Sequence, residues 1–222
     1  MHKPPKIQQI FLNSYEDFRS SVSHMSGVQE KAATAILNCK SGSLGCNISQ
    51  CTDCGHMEFH NNSCRNRNCP NCQAILKEIW IDKRRAEVID SPYFHVVFTV
   101  PHELNPLIYG NQELLYSLLH RCSSETLLEL SRDKKYLGAT PGIIQVLHTW
   151  GNFHPHIHCI VSGGGLSADQ KLRKCGEKFF IPVHVMAKVF RGKFLFYLQK
   201  HYAFGKLVFS SSCAELRNSY SW

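Results

Sequence analysis

Apolar residues spaced three and four positions apart predict four helices in this chain of 222 residues. The first spans residues 15–37, where Ser14 can cap the opening turn. The second spans residues 74–89 and is amphipathic. A third spans residues 113–130, as one helix or as two pieces broken near Ser123 and Ser124, and a fourth spans residues 183–202. The inward face of the second helix is predicted to comprise Ile75, Ile79, Trp80, Ala86 and Ile89.

Runs of β-branched and aromatic residues predict strands between these helices. Residues 94–100 form one such run, which Pro101 ends. Residues 143–149 and 156–162 flank a short turn around Gly151 and Asn152, which predicts an antiparallel hairpin. Residues 179–181 predict a further short strand. Long helices mixed with an antiparallel sheet indicate an α+β fold class, in which helices pack on the sheet.

Residues 39–72 lack periodicity but carry two Cys-x-x-Cys pairs. Cys51 and Cys54 form the first pair, and Cys69 and Cys72 form the second. This spacing is typical of a structural zinc site, in which four thiolates close a tetrahedron. It predicts a small zinc-knuckle domain with helices, which precedes the antiparallel sheet and its packed helices. A disulfide framework is the alternative, but residues 1–13 contain no secretory signal, so the eleven cysteines indicate a reducing, cytoplasmic compartment.

Further cysteines leave the ligand set open. Cys39, Cys46 and Cys64 flank the pairs, and His56 and His60 lie between them. Any of these can replace a ligand or help to hold a second ion, although Cys64 is favoured as a small apolar residue packed beside the site. The remaining cysteines lack ligand spacing and are interpreted as buried thiols: Cys122, Cys159, Cys175 and Cys213.

The run from His154 to His158 predicts a second metal site. Residues two apart in a strand share a face, so His156 and His158 lie side by side while Ile157 points into the core. Two imidazoles at that separation form half of a divalent-metal site. Three glycines soon follow, and they are expected to end the strand and to allow a second backbone, or a phosphate, to come close. Two surface histidines on a half-exposed strand are the alternative.

The formal net charge of +8 favours a polyanionic partner. No stretch is long and apolar enough for a membrane span. A solvated helix face is the alternative reading of the basic residues that gather near the second cysteine pair: Arg65, Arg67, Lys83, Arg84 and Arg85.

Several segments resemble one family in the same order. Residues 62–73 resemble the zinc-binding domain of two-tyrosine HUH rolling-circle insertion-sequence transposases. The resemblance continues through residues 93–101, 148–151, 154–165, 179–182 and 189–194. Asn68 is a departure, since the family usually has histidine there. The resemblance implies DNA transposition by single-stranded DNA binding and by metal-dependent nicking and joining. It also implies single-stranded or hairpin element ends as the DNA partner, with a full-length transposase as a further partner.

The resemblance further implies a catalytic Mg²⁺ or Mn²⁺ ion held by His156, His158 and a third ligand. His148 is the first candidate for that ligand, with Gln145 and His95 as alternatives. In this family the ion polarises a phosphoryl oxygen so that a tyrosine can attack the phosphorus. His154 is expected to contact DNA instead. Trp150 and Phe153 are expected to stack on unpaired bases, with a core role as the alternative.

The family's paired catalytic tyrosines, in a Tyr-x-x-x-Tyr pattern, have no match in this chain. Tyr197 and Tyr202 have the wrong spacing, and Tyr220 lies in the tail from residue 210, where the resemblance ends. The chain is therefore expected to be a carboxy-terminally truncated copy without its nucleophile. The resemblance implies a helical, zinc-binding and DNA-binding domain over residues 1–90, a partial HUH transposase domain over residues 91–209 and a divergent tail over residues 210–222. One alternative is a non-catalytic, zinc-dependent DNA-binding remnant or regulator. A metallohydrolase such as an amidohydrolase is disfavoured, because its barrel needs about 250 residues.

Overall fold

A computed structural model describes residues 7–149, 153–179 and 181–218. The chain forms two compact units, Met1–Val88 and Ile89–Trp222, each of which is described by itself. Within the described ranges, no helix combines the length and the apolar character needed to cross a membrane.

The first unit begins with two helices, α1 (Ile7–Ser21) and α2 (Gly27–Asn38). The prediction of one helix over residues 15–37 is therefore wrong. Ser26 ends the continuity because it caps α2: its hydroxyl accepts from the backbone N–H of Gln29, while the Gln29 side chain accepts from the N–H of Ser26. This reciprocal capping box satisfies two backbone donors and starts a new helix. Ser14 lies inside α1 rather than at a helix start.

An antiparallel hairpin follows, formed by β1 (Cys46–Gln50) and β2 (Met57–Asn61). The sequence predicted no regular structure in this segment. The hairpin tip is closed by two backbone hydrogen bonds, from Cys51 to His56 (2.8 Å) and from Gly55 to Cys51 (3.0 Å). Gly55 has a φ of +71°, the left-handed conformation that glycine adopts without strain. Both strands are solvent-exposed along their whole length.

Helix α3 (Pro70–Ala86) completes the regular structure of the first unit, with Pro70 in the first turn. The sequence predicted this helix, but the prediction that its apolar face is buried is wrong. The side chains of Ile75 and Trp80 are 64% and 48% exposed. Periodicity identifies an apolar stripe on a helix, but it does not decide whether another element covers that stripe.

The second unit contains an antiparallel sheet of β3 (Tyr93–Thr99), β4 (Thr140–His148), β5 (His156–Leu166) and β6 (Leu172–Lys174). The order is β3-β5-β4, with β6 paired to the end of β5. The predicted β4–β5 hairpin is confirmed, although its turn at residues 150–152 lies outside the described residues. The predicted strand at 179–181 is wrong, because Phe179 and Ile181 are not in a strand; Phe180 is outside the described residues.

The helices of this unit are α4 (Asn105–Gly110), α5 (Gln112–Arg132), α6 (Val183–Ala203) and α7 (Glu215–Asn218). Helix α5 is continuous and has no break near Ser123. The Ser123 hydroxyl donates to the carbonyl of Leu119 (2.7 Å), one turn earlier in the same helix. Short 3₁₀ turns occupy His102–Leu104 and Ser211–Cys213. Together with the sheet these elements confirm the α+β fold class.

The core of the second unit lies between one face of the sheet and helices α5 and α6. Phe98 and Ile157 from the sheet pack in the same cluster as Leu119 of α5 and Phe190 of α6. Alternation along the strands turns the neighbouring residues to the opposite face. That opposite face is open to solvent and carries the histidines.

The glycines that follow the histidine strand allow close approach of other chain segments. A Cβ at Gly165 would overlap the backbone of Thr140, and one at Gly163 would lie 2.8 Å from the ring of Phe94. Protein groups therefore make the close approach at both positions. The prediction that the glycines end the strand is wrong, because β5 continues through residues 163–165 to Leu166.

Candidate metal centres

Three histidines meet on the open face of the sheet. His148 on β4 is the direct register partner of His156 on β5, and His158 follows on the same face of β5. The Nδ1 atom of His148 is 3.1 Å from Nε2 of His156. The Nε2 atoms of His156 and His158 are 3.0 Å apart. These three side chains form one group whose nitrogen atoms can hold a metal ion together.

The separations of the His156 nitrogen from the nitrogens of His148 and His158 are compatible with a hexacoordinate ion. Adjacent ligands at about 2.1 Å from an octahedral ion are roughly 3.0 Å apart, whereas about 3.4 Å is expected around a tetrahedral ion. The observed separations of 3.0 and 3.1 Å match the first value. His148 is exposed and the other two are half-buried, so solvent or a phosphate oxygen can fill the remaining positions.

Hydrogen bonding fixes which nitrogen of His156 is available. Its Nδ1 atom lies 2.6 Å from the backbone carbonyl of His154, and a carbonyl can only accept. Nδ1 therefore carries the hydrogen, and Nε2 presents its lone pair toward the neighbouring histidines. The β5 backbone thus orients one of the three candidate ligands.

The pKa of His158 lies below its ordinary value. Desolvation by burial is the largest cause, followed by repulsion from His156, His95 and His148 in their charged forms. The imidazolium form is disfavoured by both effects, so the neutral ring that binds metal ions is favoured.

The other predicted third ligands occupy different positions. Gln145 points into the opposite layer, where its amide donates to the Ser123 hydroxyl (2.7 Å) and approaches the Cys159 sulfur (3.8 Å). The Nε2 atom of His95 contacts Nδ1 of His158, whereas His158 faces His156 through its other nitrogen, Nε2. The structure therefore brings His148, and neither alternative, into the group of three.

Of the three residues predicted to contact DNA near this face, His154 and Phe153 have described positions. The His154 ring bonds through Nε2 to the Thr99 hydroxyl (2.6 Å). Phe153 packs edge-on against Tyr109, with ring centroids 5.1 Å apart. Trp150 lies outside the described residues.

A second group of candidate ligands lies in the first unit. It consists of four thiols, those of Cys39, Cys64, Cys69 and Cys72. The Cys72 sulfur is 3.6 Å from the sulfurs of both Cys39 and Cys64. Four sulfurs at about 2.3 Å from a zinc ion are roughly 3.8 Å apart, so these separations fit a closed tetrahedral site.

Helix ends and loops bring these cysteines together. Cys39 follows the last turn of α2, and Cys69 immediately precedes α3. Both side chains are completely buried. Cys72 lies in the first turn of α3 and Cys64 in the loop after β2. A hydrogen bond from the N–H of Lys40 to the carbonyl of Asn62 (3.1 Å) holds the hairpin beside the end of α2.

This quartet differs from the grouping predicted from sequence. Cys69 and Cys72 belong to it, but Cys51 and Cys54 lie at the exposed hairpin tip. The cluster lies at the hairpin's open end, and β1 separates the two ends by five residues, or roughly 17 Å at about 3.4 Å per residue. Cys39 and Cys64 take the two remaining places. Cys64, which the sequence favoured as a packing residue, is therefore positioned as a candidate ligand.

The thiols of the cluster differ in acidity. Burial raises the pKa of Cys64 to about 12. Burial also opposes ionisation of Cys72, but hydrogen bonds from the Cys64 and Cys39 thiols and from the Arg65 backbone outweigh it and lower the Cys72 pKa to about 7. One thiolate stabilised by its neighbours is the arrangement from which a metal-thiolate cluster can assemble.

The basic residues predicted to bind DNA lie on the surface of the first unit. Arg65 and Arg67 are exposed in the loop between Cys64 and Cys69, and Lys83 is exposed on α3. Arg84 pairs with Glu87 (2.6 Å) and lies 5.9 Å from the Trp80 ring centre. Arg85 lies 3.6 Å from Asp82. The exposed Lys83 and Arg85 side chains and the exposed Trp80 indole lie on the same helix, a combination that suits nucleic acid, whereas Arg84 is half-buried between Trp80 and Glu87.

Two tyrosines considered as nucleophiles are engaged elsewhere. The Tyr197 hydroxyl donates to Glu125 (3.1 Å) and accepts from Arg121 (2.9 Å), both on α5. The Tyr202 hydroxyl donates to the carbonyl of Arg217 (2.9 Å). Tyr220 lies outside the described residues.

Comparison with family models gives two matches. Residues 10–100 match the model described as "Transposase zinc-binding domain". Residues 142–221 match the model described as "Putative transposase". The second match includes most of the segment from residue 210 that the sequence predicted to diverge. In the structure, Cys213 of that segment is buried in the core of the second unit.

Two curated relatives carry related names. "Putative transposase y4qJ" of Sinorhizobium fredii (strain NBRC 101917 / NGR234) is 41% identical over 222 residues, which covers 97% of this chain and 56% of that protein. "Transposase for insertion sequence element IS801" of Pseudomonas savastanoi pv. phaseolicola is 33% identical over 144 residues, which covers 63% of this chain and 34% of that protein. The chain thus spans about half, or less, of the length of these relatives. No solved structure matches the chain.

Proposed function

The chain belongs to the family of insertion-sequence transposases that carry a transposase zinc-binding domain, and we propose that in DNA transposition it supplies the cation site for metal-dependent nicking and joining of single-stranded DNA, a reaction for which neither Tyr197 nor Tyr202 is free to act as the nucleophile. The observation that carries this proposal is the histidine group on the open face of the sheet. The ligand nitrogens of three imidazoles lie within 4.8 Å of one another, and the separations of His156 from His148 (3.1 Å) and from His158 (3.0 Å) suit a hexacoordinate ion. The site is open to solvent, so a phosphodiester can reach it.

His148, His156 and His158 are the proposed ligands of a divalent cation, Mg²⁺ or Mn²⁺. When bound, such a cation supplies Lewis-acid polarisation of a phosphoryl oxygen. The protein's own contribution is to hold three neutral imidazoles in fixed positions. The sheet register holds His148 beside His156, and the His154 carbonyl fixes the ring of His156. Imidazole suits Mn²⁺ better than Mg²⁺, which makes Mn²⁺ the first ion to test.

Cys39, Cys64, Cys69 and Cys72 are the proposed ligands of one structural zinc ion. The tetrahedral fit of the sulfur separations supports this assignment, as does the burial of Cys39 and Cys69. The zinc-binding family model spans all four residues. The ion would connect the end of α2 to the start of α3, so it would hold the first unit together.

DNA, single-stranded or as a hairpin, is the proposed partner. The family supports DNA in general, and the exposed cations of the first unit support phosphate contacts. Arg65, Arg67, Lys83, Arg84 and Arg85 would make those contacts, with His154 near the cation site.

A second candidate function is zinc-dependent DNA binding without covalent cleavage. The engaged hydroxyls of Tyr197 and Tyr202 favour it, because neither is free to attack phosphorus. Such a protein can occupy element ends in competition with a full-length transposase.

One experiment distinguishes the two functions. The chain is incubated with labelled single-stranded and hairpin oligonucleotides and Mn²⁺, and the products are separated on a denaturing gel. Strand cleavage that disappears in His156→Ala supports the catalytic function. Salt-sensitive binding with no cleavage supports the binding function. A protein–DNA adduct lost in Tyr197→Phe or Tyr202→Phe would identify that tyrosine as a nucleophile and contradict its structural role.

A further inference from the structure

His95 lies on the same face of the sheet as the histidine group but on the neighbouring strand. Its Nε2 atom is 2.7 Å from Nδ1 of His158. The two rings are within 6° of parallel and their centroids are 5.0 Å apart. Because the nitrogens are much closer than the centroids, the rings meet edge to edge, which is the geometry of a hydrogen bond between imidazoles rather than of stacked faces.

The two nitrogens of His158 therefore face different partners. Nε2 faces His156, at 3.0 Å, and Nδ1 faces His95. A neutral imidazole has one N–H and one lone pair. If Nε2 directs its lone pair to an ion, Nδ1 must carry the hydrogen and donate it to His95. If His95 donated instead, the hydrogen of His158 would lie on Nε2 and block binding there.

His156 is oriented in the same way, but its acceptor is a backbone carbonyl. The carbonyl of His154 accepts from its Nδ1 and can do nothing else. For His158, the acceptor is a side chain that sequence reasoning treats as a candidate ligand. The Nε2 atom of His95 is already hydrogen-bonded to Nδ1 of His158. His158 faces His156 through its other nitrogen, Nε2.

We propose that His95 is a positioning residue, which holds the His158 ring and its tautomer so that Nε2 faces the cation, and that it is not itself a ligand. This inference rests on the proposed cation site. Outer partners that orient metal-bound imidazoles typically change metal affinity 10- to 100-fold when removed.

The test compares His95→Ala and His95→Gln with the wild-type chain, and uses His102→Ala as the control, since the His102 side chain is 82% exposed. Calorimetric titration measures the Mn²⁺ dissociation constant. Pulsed electron paramagnetic resonance counts the imidazole nitrogens bound to Mn²⁺. Thermal unfolding without added Mn²⁺ checks that each variant folds.

The expected result is Mn²⁺ affinity about 10- to 100-fold weaker in His95→Ala, with the same number of bound nitrogens as in the wild type. His95→Gln should recover most of the affinity, because its amide oxygen can accept from Nδ1 of His158. His102→Ala should match the wild type.

Full affinity in a folded His95→Ala would overturn the inference. A bound-nitrogen count lower by one would also overturn it, since that result identifies a direct ligand. Failure of the proposed function gives a different pattern: the wild type would not bind Mn²⁺, or His156→Ala would bind it as well as the wild type.

Discussion

Cys39 and Cys72 are 33 positions apart in the chain, yet their sulfur atoms lie 3.6 Å from each other. The contact joins the end of one helix to the start of another, and Cys64 and Cys69 complete the group. The region around it has a small core, since the buried residues among the described part of the first unit are Ala33, Ile36, Cys39 and Cys69. A metal ion bound at this cluster would therefore contribute much of the folding energy of the unit.

The ligand set can be tested by comparing single serine variants. Cys39→Ser and Cys64→Ser should lose most of the bound zinc, because each removes one of four converging thiolates. Cys51→Ser should keep the full stoichiometry, since Cys51 lies at the hairpin tip. Metal content measured by mass spectrometry decides between the two sets, and Cys175→Ser serves as a control outside the first unit. Loss of zinc in Cys51→Ser but not in Cys39→Ser would restore the set predicted from sequence.

Zinc removal should unfold the first unit and leave the second folded. The second unit has a core built from its own sheet and helices, whereas the first has few buried side chains. Amide hydrogen exchange before and after chelation measures this directly. Protection should fall along α2 and α3 and persist along α5 and β5. Equal loss of protection in both units would contradict this account.

The third ligand of the cation site can be identified by a matched pair of variants on β4. His148→Ala should weaken Mn²⁺ binding by a factor of about 10 or more, because it removes one of three converging nitrogens. Gln145→Ala should leave Mn²⁺ binding unchanged, but it should lower the free energy of unfolding by about 1–3 kcal/mol, since Ser123 loses a buried partner. Calorimetric titration and urea unfolding measure the two quantities. If Gln145→Ala weakened Mn²⁺ binding more than His148→Ala did, Gln145 rather than His148 would be the third ligand.

Asn111 should be among the most sensitive polar positions of the second unit. Its side chain donates to the carbonyls of Leu107 (2.8 Å) and Val208 (2.7 Å) and accepts from the N–H of Val208 (2.8 Å). Asn111→Ala removes three such bonds, so we expect a loss of about 2–4 kcal/mol in the free energy of unfolding. Urea unfolding measures this loss. Glu113→Ala, at an exposed position two residues later, is the control and should change stability by less than about 1 kcal/mol.

Binding to single-stranded DNA should weaken steeply as salt concentration rises. Each phosphate contact contributes a slope of about −0.7 to the logarithmic dependence of affinity on salt. Replacing both Lys83 and Arg85 by alanine should make that slope shallower by about 1.4, whereas Lys188→Ala in the second unit should leave it unchanged. Fluorescence anisotropy at several salt concentrations provides the measurement. A slope near zero for the wild type would exclude phosphate contacts as the basis of binding.

Sequence periodicity was sufficient for features that depend on neighbouring residues. Alternation along β5 placed His156 and His158 on one face and Ile157 in the core, as the structure has them. The helical period predicted α5 and α6. The turn between two β-rich runs predicted the β4–β5 hairpin, and the register of that hairpin places His148 opposite His156. These are local relationships, set by backbone geometry over a few residues.

Only the tertiary structure decided which distant residues meet. Two identical Cys-x-x-Cys pairs suggested one site, but hairpin pairing holds Cys51 at one end while Cys69 lies at the other, where helix α2 ends and Cys39 is buried. The pairing of β3 with β5 likewise places His95 against the far side of His158 rather than at the cluster. Such contacts depend on register and on packing between separate elements, and residue spacing within any one segment contains no information about them.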